Sequence, residues 1–410
     1  MHGRWPLWPC KIAALQNYEK KVASVKSLRI LTNIDANHGS CIFNVALNRI
    51  LASSLPEHDI KFLDSIPLSW RMYEWLRLFK PNRRIPLHNL KRYRNLMAYS
   101  REHLRVERFP GSSSYEGLMR RLREREYDAL VVAKVVWDIA MIWQNPRFPN
   151  IFWISEDIPA KKIAYAVSGH RTNLELFERH KDDVKRILSG YSLIGVRDDM
   201  TEHIVKEAGV DELVPVHRMS DPAFLFEHRA GHGPELRARF GLHPEQPVLG
   251  LLFYGKQELA ARIREHYHAR GYQIVNLSMY NPAADINLGH RLNPDEWVSM
   301  FSELEFCITD RFHCSIFCLR NNVPFAGIEP YAPAHRLNSK VYSLLQDFQL
   351  CEPCYHNPYE PGFDAGRFLD ACDGIQRDWE DHFAAPVRAR IEQQTAVQRR
   401  FVEAMQGILG

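Results

Sequence analysis

Arg311 and His313 stand two residues apart where an apolar run turns into an apolar helix. Their segment, Pro294 to Pro330, reads PDEWVSMFSELEFCITDRFHCSIFCLRNNVPFAGIEP. A helix leads into a buried strand, Phe306 to Thr309, and the chain turns through Asp310-Arg311-Phe312-His313 into a second helix. A cation and an imidazole therefore sit beyond a strand's carboxyl end, beside the free N–H groups and positive dipole end of a helix, which favour an anion. Arg supplies forked donors for phosphate or carboxylate, and His passes a proton near neutral pH. The competing reading pairs Arg311 with Asp310 and leaves His313 as a satisfied core residue. Cys314 and Cys318 share one face of the helix, where burial suits them better than a metal.

Other residues suit the same chemistry. Arg197 closes a predicted strand, Leu193–Val196, and would serve an anion unless it merely pairs with Asp198 or Asp199. Lys340 follows a short polar turn and is otherwise a solvated lysine. Asn37 and Gly39 follow the first strand, where a glycine lets backbone approach a ligand; the turn is otherwise only a connector. His335-Arg336 reads as surface loop. The one CxxC, Cys351-Glu-Pro-Cys354, lacks a second ligand pair at zinc spacing, so no metal site is expected.

The elements that must hold these residues alternate between strand and helix. Strands are predicted at Leu28–Ile34, Ile60–Leu63, Ala129–Val132, Ile151–Ile154, Lys162–Ala166 and Leu193–Val196, with helices to about Leu55 and over Tyr115–Arg125, Leu174–Leu188 and Thr201–Gly209. After a Gly/Pro/His-rich linker, His228–His243, a second series follows. Its strands are Val248–Phe253, Gln273–Asn276, Phe306–Ile308 and Pro324–Gly327; its helices are Gln257–Arg270, Pro294–Ser302 and Ser315–Asn321. Trp379–Leu409 reads as a long amphipathic helix or helix pair. The expected domains are an N-terminal extension (1–27), an N-terminal half (28–227), a C-terminal half (228–375) and a C-terminal helix (376–410). Strand–helix alternation predicts two doubly wound α/β halves around a cleft, with ligands beyond the strands' carboxyl ends.

A chain of 410 residues exceeds what one core usually supports. With 45% hydrophobic and 25% charged residues it is neither disordered nor fibrous. Between Arg71 and Arg125 fifteen Lys/Arg face five Glu, a net of +10 on a chain of net +4. This segment interleaves Trp70, Tyr73, Trp75, Phe79 and Tyr93 with its cations, a mixture suited to a membrane interface or an anionic polymer. Without any nucleic-acid motif, nucleic acid is not expected. The eight cysteines are sparse and uneven, fitting reduced thiols. No secretory leader is visible and the most apolar stretch, Ala129–Trp143, is too short to span a bilayer. The expected location is cytoplasmic, with contact at the inner face of the membrane.

The residues around Arg311 resemble the core of the polysaccharide pyruvyl transferase family. Its members carry a Pro-Glu-Glu-Trp-like helix, a strand ending in Thr-Asp or Gly, and Ser-Phe-His or Arg-Leu-His opening an apolar helix; here the last appears as Arg311-Phe312-His313. A second likeness runs from Ala164 to Val210, with an Ala-Tyr-x-x-Ser strand ending at Ser168 and a strand end at Gly195-Val196-Arg197-Asp198. Weaker ones are the Ser220-Asp221-Pro222-Ala223 turn, Asn37-His38-Gly39-Ser40 and Asn338-Ser339-Lys340-Val341. The likenesses keep their order across roughly residues 28 to 350. Ala133-Lys134-Val135-Val136-Trp137 stands where the family has a Gly-rich strand end, and Cys314 where it has Gly.

The resemblance implies two Rossmann-like domains resembling the GT-B glycosyltransferases, with the acceptor side in the N-terminal half (28–227) and the donor side in the C-terminal half (228–375). It implies transfer of a pyruvyl group from phosphoenolpyruvate to a sugar of a glycan or lipid-linked precursor, as in exopolysaccharide biosynthesis, giving a cyclic ketal without a further cofactor. His313 would transfer the proton and Arg311 hold the donor anion. Arg197, Lys340, Asn37, Gly39 and Ser168 would bind substrate, with Arg197, Arg311 and His313 lining one cleft. The alternative is a GT-B-like glycosyltransferase using a nucleotide sugar, with Glu329 as the candidate ribose-binding acid. A polyanion-binding protein without catalysis is a third reading.

Overall fold

The computed structural model describes residues 26–66, 71–72, 75–76, 86–109, 114–139, 148–228 and 232–410. The N-terminal extension up to residue 25, Trp70, Tyr73 and Phe79 of the basic segment, the end of the Ala129–Trp143 run and part of the 228–243 linker lie outside the described residues.

The first half is built on β1 (Lys26–Leu31), β2 (His58–Asp64), β3 (Val106–Arg108), β4 (Ala129–Val135), β5 (Lys161–Ser168), β6 (Leu193–Val196) and β7 (Val216–Arg218). They form one sheet ordered β3-β2-β1-β4-β5-β6-β7, every pair parallel. Leu28 pairs with Ile60 on one side and Ala129 on the other. Buried positions run without a break along β6 and along β4 up to Val135, which is half-buried, as strands covered on both faces require. The covering helices are α1 (His38–Ser54), α2 (Pro86–His103), α3 (Tyr115–Arg123), α4 (Leu174–Leu188) and α5 (Asp199–Glu207).

After α6 (His232–Arg239), the second half repeats the plan with β8 (Val248–Leu252), β9 (Gln273–Asn276), β10 (Ile286–Asn287), β11 (Phe306–Thr309), β12 (Phe325–Ile328) and β13 (Tyr355–His356). Its order is β10-β9-β8-β11-β12-β13, again all parallel. Its helices include α7 (Gln257–His268), α8 (Pro294–Ser299), α9 (Phe312–Arg320), α10 (Lys340–Asp347), α11 (Ala365–Asp378) and α12 (Ala384–Leu409). In each sheet the strand order reverses beside the first strand, at β1/β4 and at β8/β11. Ligands of doubly wound sheets bind beyond the strand ends at such a reversal.

The last helix returns to the first half. Lys26 Nζ donates to the carbonyls of Leu409 (2.9 Å) and Gly410 (3.0 Å), and Phe401 packs its edge against Tyr165 at 5.3 Å. Gly195 makes room: a Cβ there would strike Met219 Sδ and the Phe401 ring. One buried apolar cluster consequently runs from the first sheet's inner face through α1, Pro222–Leu225 and α12 into the second half.

The structure corrects one expected strand. Ile151–Ile154 forms a turn, in which Asn150 Oδ1 accepts from Phe152 N (2.9 Å) and Asn150 Nδ2 donates to Val136 O (3.1 Å). Its apolar side chains are buried regardless, which is why hydrophobicity alone misled. The short strands β3, β7, β10 and β13 give too few residues for a period to register. The expected long helix over Trp379–Leu409 is present as α12, preceded by one turn of π-helix, Trp379–Phe383, that joins it to α11.

Several imidazoles are buried. His38 is stacked on Trp297 and held to about 3, by burial first and Arg92 second; burial also holds His356 to about 4 and His170 well below its ordinary value. The unfolded chain protonates these rings near pH 6.5 and the folded chain does not, so their stability is complete above 6.5 and is lost as pH falls toward 4. The expected loss is about 1 kcal/mol per imidazole per pH unit. Melting temperature should therefore be lower at pH 5.5 than at pH 7.5; equal values would contradict burial of neutral rings.

Candidate active site

The two strand-order reversals face each other. From β1 the chain passes Asn37, whose Oδ1 accepts from Ser40 N (3.4 Å), into the amino end of α1. From β11 it passes Asp310 and Arg311 into α9, whose start has no side-chain cap. These helix starts meet so closely that a Cβ on Gly39 would overlap the His313 ring. Only glycine lets the halves approach this far at that point. His38 strengthens the junction, with its Nε2 3.3 Å from Leu292 O and its ring on Trp297 of α8.

Asp221 lies at the centre. It opens the Pro222–Leu225 turn, accepting from Ala223 N at 2.9 Å, and its side chain is fully buried. Its carboxylate pairs with Arg197 Nη1 from the end of β6, and its Oδ2 lies 3.6 Å from His313 Nε2. Burial alone would raise this carboxyl, but Arg197 and then His313 outweigh it and hold it at about 2. A permanently ionised carboxylate thus links a guanidinium from the first half to an imidazole from the second.

Arg197 is held between Phe43 (5.2 Å) and Phe312 (5.3 Å), 4% exposed, and its Nε and Nη2 have no hydrogen-bond partner among the described residues. Buried donors are normally satisfied, and an unsatisfied pair on a guanidinium fits a site awaiting an anion. Lys340 opens α10, with Nζ 5.6 Å from the Phe312 ring. Burial first, then Arg197 and Arg171, push its ammonium down to about 7.

His313 is itself lowered by burial, with Asp221 opposing and Arg197 and Lys340 reinforcing the shift. In the empty site the ring is thus neutral near pH 7 and able to take a proton. An incoming dianion would offset the neighbouring cations and raise both His313 and Lys340. That couples binding of negative charge to protonation of the group that could deliver a proton.

Arg311 is placed differently. Its Nε is 2.6 Å from Asp310 Oδ1 and its side chain is about one-third exposed, as the ion-pair reading expects. Asp310 also accepts from Tyr254 N at 3.3 Å. Asn37 serves as the cap of α1, and Ser168 is fully buried with its Oγ 3.3 Å from His170 Nδ1. Asp198 and Asp199, the suggested surface partners of Arg197, instead cap α5 and pair with Arg218.

Sequence reasoning missed several participants. Asp221 was visible only as part of a Ser-Asp-Pro turn, and nothing local links it to Arg197. Phe43 and Phe312 read as core residues. Arg171 pairs with buried Asp138, its Nε donating to Oδ2 at 2.8 Å, and Asn338 Nδ2 donates across the junction to His170 O (2.6 Å) and Thr172 O (3.2 Å). Lys134, where a Gly-rich strand end was the resembled pattern, has φ 80° and donates through Nζ to Asn33 O at 2.7 Å. It ties the loop after β1 to the end of β4.

Among the described residues no group of three or more His, Cys, Asp or Glu could hold a metal ion. Burial pushes Cys354 up to about 12 and raises Cys351 as well, so this pair is held as thiols. No described helix is long and apolar enough to cross a membrane.

Two parallel, doubly wound domains joined at their strand-order reversals define the GT-B class of architecture. The chain belongs to the polysaccharide pyruvyl transferase family, whose model matches residues 37–330. It is therefore an enzyme of polysaccharide modification by family. No curated protein matches it significantly. Its fold is similar to that of a protein assigned as a UDP-N-acetylglucosamine 2-epimerase from Listeria monocytogenes, at 9% identity and TM-score 0.54, covering 89% of this chain and 92% of that one. A UGT transferase from Siraitia grosvenorii, solved with UDP, gives 12% identity and TM-score 0.52, covering 92% and 99%. Sucrose-phosphate synthase from Thermosynechococcus elongatus gives 11% and 0.51, covering 92% and 97%. At such identities the likeness is one of fold alone.

Proposed function

We propose that the chain transfers the pyruvyl group of phosphoenolpyruvate to two hydroxyls of a saccharide, forming a cyclic ketal and releasing phosphate. The observation that carries this reading is Arg197, buried, with two guanidinium nitrogens unpaired among the described residues, beside Lys340 and across Asp221 from His313. Arg197 and Lys340 hold the donor's phosphate or carboxylate, and Arg311 reaches it by leaving Asp310. His313, protonated once the dianion is bound, delivers its proton to the methylene carbon. The adjoining carbon becomes oxocarbenium-like and bonds to one sugar hydroxyl, whose proton returns to His313. The bond to the phosphate oxygen then breaks, phosphate leaves, and the second hydroxyl closes the ketal, its proton passing to phosphate or water. The cations stabilise charge at each stage, and none of these steps needs a cofactor. Asn37, Gly39 and Ser168 act by shaping the site, with Gly39 fixing the position of His313.

The nucleotide-sugar alternative is less well supported. Glu329, its candidate for ribose, accepts a hydrogen bond from Ser339 Oγ and is buried. The acceptor is a glycan or its lipid-linked precursor. Met72, Trp75, Leu76 and Leu87 of the basic segment are exposed and suit cytoplasmic contact with the anionic inner face of a membrane.

Saturating phosphoenolpyruvate should raise the melting temperature, by the equivalent of about 2.7 kcal/mol at a hundred times its dissociation constant, and a nucleotide sugar should not. Because Lys340 sits at about 7 in the empty site, donor affinity should weaken as pH rises above 7. Stabilisation by a nucleotide sugar in place of phosphoenolpyruvate would overturn the reading.

A further inference from the structure

Lys340 reaches the site at the end of a short segment, residues 335–340, whose neighbouring side chains hold opposite halves of the molecule. Asn338 is buried, and its Nδ2 donates to the carbonyls of His170 (2.6 Å) and Thr172 (3.2 Å), which flank Arg171 in the turn after β5. Its Oδ1 accepts from His335 N (3.0 Å) and its own N–H donates to His335 O (2.9 Å), so the residue also closes the turn ahead of α10. Leu337 packs against the buried apolar cluster of the first half. Ser339 is held by the second half: its Oγ donates to Glu329, which follows β12, and accepts from Tyr342 N (3.0 Å), capping α10. The body of α10 is tied to the first half separately, through Arg218 Nη2, which donates to Ser343 Oγ (2.9 Å) and Asp347 Oδ2 (3.1 Å). Cutting the Asn338 bonds therefore frees the first turn of α10 and leaves the helix docked.

Lys340 is held there against repulsion. Its ammonium and the Arg197 guanidinium lie against one ring, Phe312, at 5.6 and 5.3 Å. Burial, Arg197 and Arg171 disfavour the charged lysine, with Asp198 and Asp138 opposing, and Lys340 in turn disfavours protonation of His170 and His313. A lysine on its flexible four-carbon stem would turn toward water if its backbone could shift. Bonds from a neutral amide to backbone carbonyls fix that backbone without adding charge to the site. We propose that Asn338 is a positioning residue of the anion site, which fastens the start of α10 to the turn after β5 and so keeps the Lys340 ammonium beside Arg197. This rests on the reading of Arg197 and Lys340 as the donor's anion grip and adds the group that assembles that grip from the two halves.

The test is calorimetric titration of the full chain with phosphoenolpyruvate and, separately, with inorganic phosphate, in wild type, Asn338→Ala, Lys340→Met and the double variant. Asn338→Ala should weaken anion binding about three- to tenfold, the worth of one or two hydrogen bonds, and Lys340→Met should weaken it at least as much. In the double variant the asparagine change should add nothing to the lysine change, because it acts through the ammonium. The pH profile should move as well. Wild-type affinity falls as pH rises above about 7, where Lys340 loses its proton. With the ammonium released from Arg197 and Arg171, the fall in Asn338→Ala should begin at higher pH. Asn338→Ser, too short to reach both carbonyls, carries the same cycle if the alanine variant does not fold. Wild-type affinity in a folded Asn338 variant, or the same loss with and without Lys340, would overturn the assignment and leave Asn338 a purely structural residue. If phosphate binds and phosphoenolpyruvate does not, the proposed donor falls while the phosphate cycle still decides the role of Asn338. If neither anion binds the wild type, the anion site and that role fall together.

Discussion

Replacing His313 with alanine should lower turnover about a hundredfold or more while leaving donor affinity nearly unchanged, as expected when a general acid/base is lost. The ring touches Asp221 and abuts Gly39 but carries little of the site's positive charge when empty, because burial keeps it neutral. Truncation also leaves a cavity, so His313→Asn, closer in volume, separates the roles. Both variants should lose the rate, and only the alanine should lose much stability. Arg311→Ala should behave oppositely, weakening donor binding by about 1.5–3 kcal/mol, the range for a hydrogen bond to a charged group. A smaller loss would mean that Arg311 stays with Asp310, as in the empty site. Measuring turnover, donor affinity and melting temperature together decides the matter. A stable His313→Asn variant with full activity would remove the imidazole from the chemistry.

The alternation of apolar runs and amphipathic helices made both doubly wound halves legible, because each buried strand of a parallel sheet is a continuous hydrophobic block. Arg197 and His313 were legible for the same reason: each directly follows or closely follows such a block, where ligands of this fold bind. What joins them was not legible. Asp221 lies after β7, whose three residues leave no pattern, and its pairing with Arg197 is purely tertiary. Asn37 reads both ways, since a polar residue before a helix is as much a cap as a ligand, and here its oxygen accepts from Ser40 N. The glycine two residues later carried the stronger signal, because it marks a close approach that only the assembled halves reveal. Ser168, at the end of a strand, turned out to be fully buried beside His170. Position in the strand located the neighbourhood without saying which way the hydroxyl would face.

Removing Arg197 should have the largest effect on the fold. Arg197→Ala leaves Asp221 fully buried without its main counter-charge, and breaking such a pair typically costs about 3–5 kcal/mol. The carboxyl should then rise from about 2, and His313 should become easier to protonate once the guanidinium's repulsion is gone. A drop in melting temperature alone would not tell an anion-binding arginine from a structural one. The double variant Arg197→Met with Asp221→Leu does, since removing both charges relieves the buried, unpaired carboxylate and should recover most of the stability. If Arg197 grips the donor through Nε and Nη2, that stable protein should still bind phosphoenolpyruvate at least tenfold more weakly than wild type. Arg197→Lys should recover only part of the affinity, because a single ammonium cannot pair with Asp221 and a forked anion together. Wild-type donor affinity in the double variant would confine Arg197 to holding the two halves together and would shift the anion site to Lys340 and Arg311.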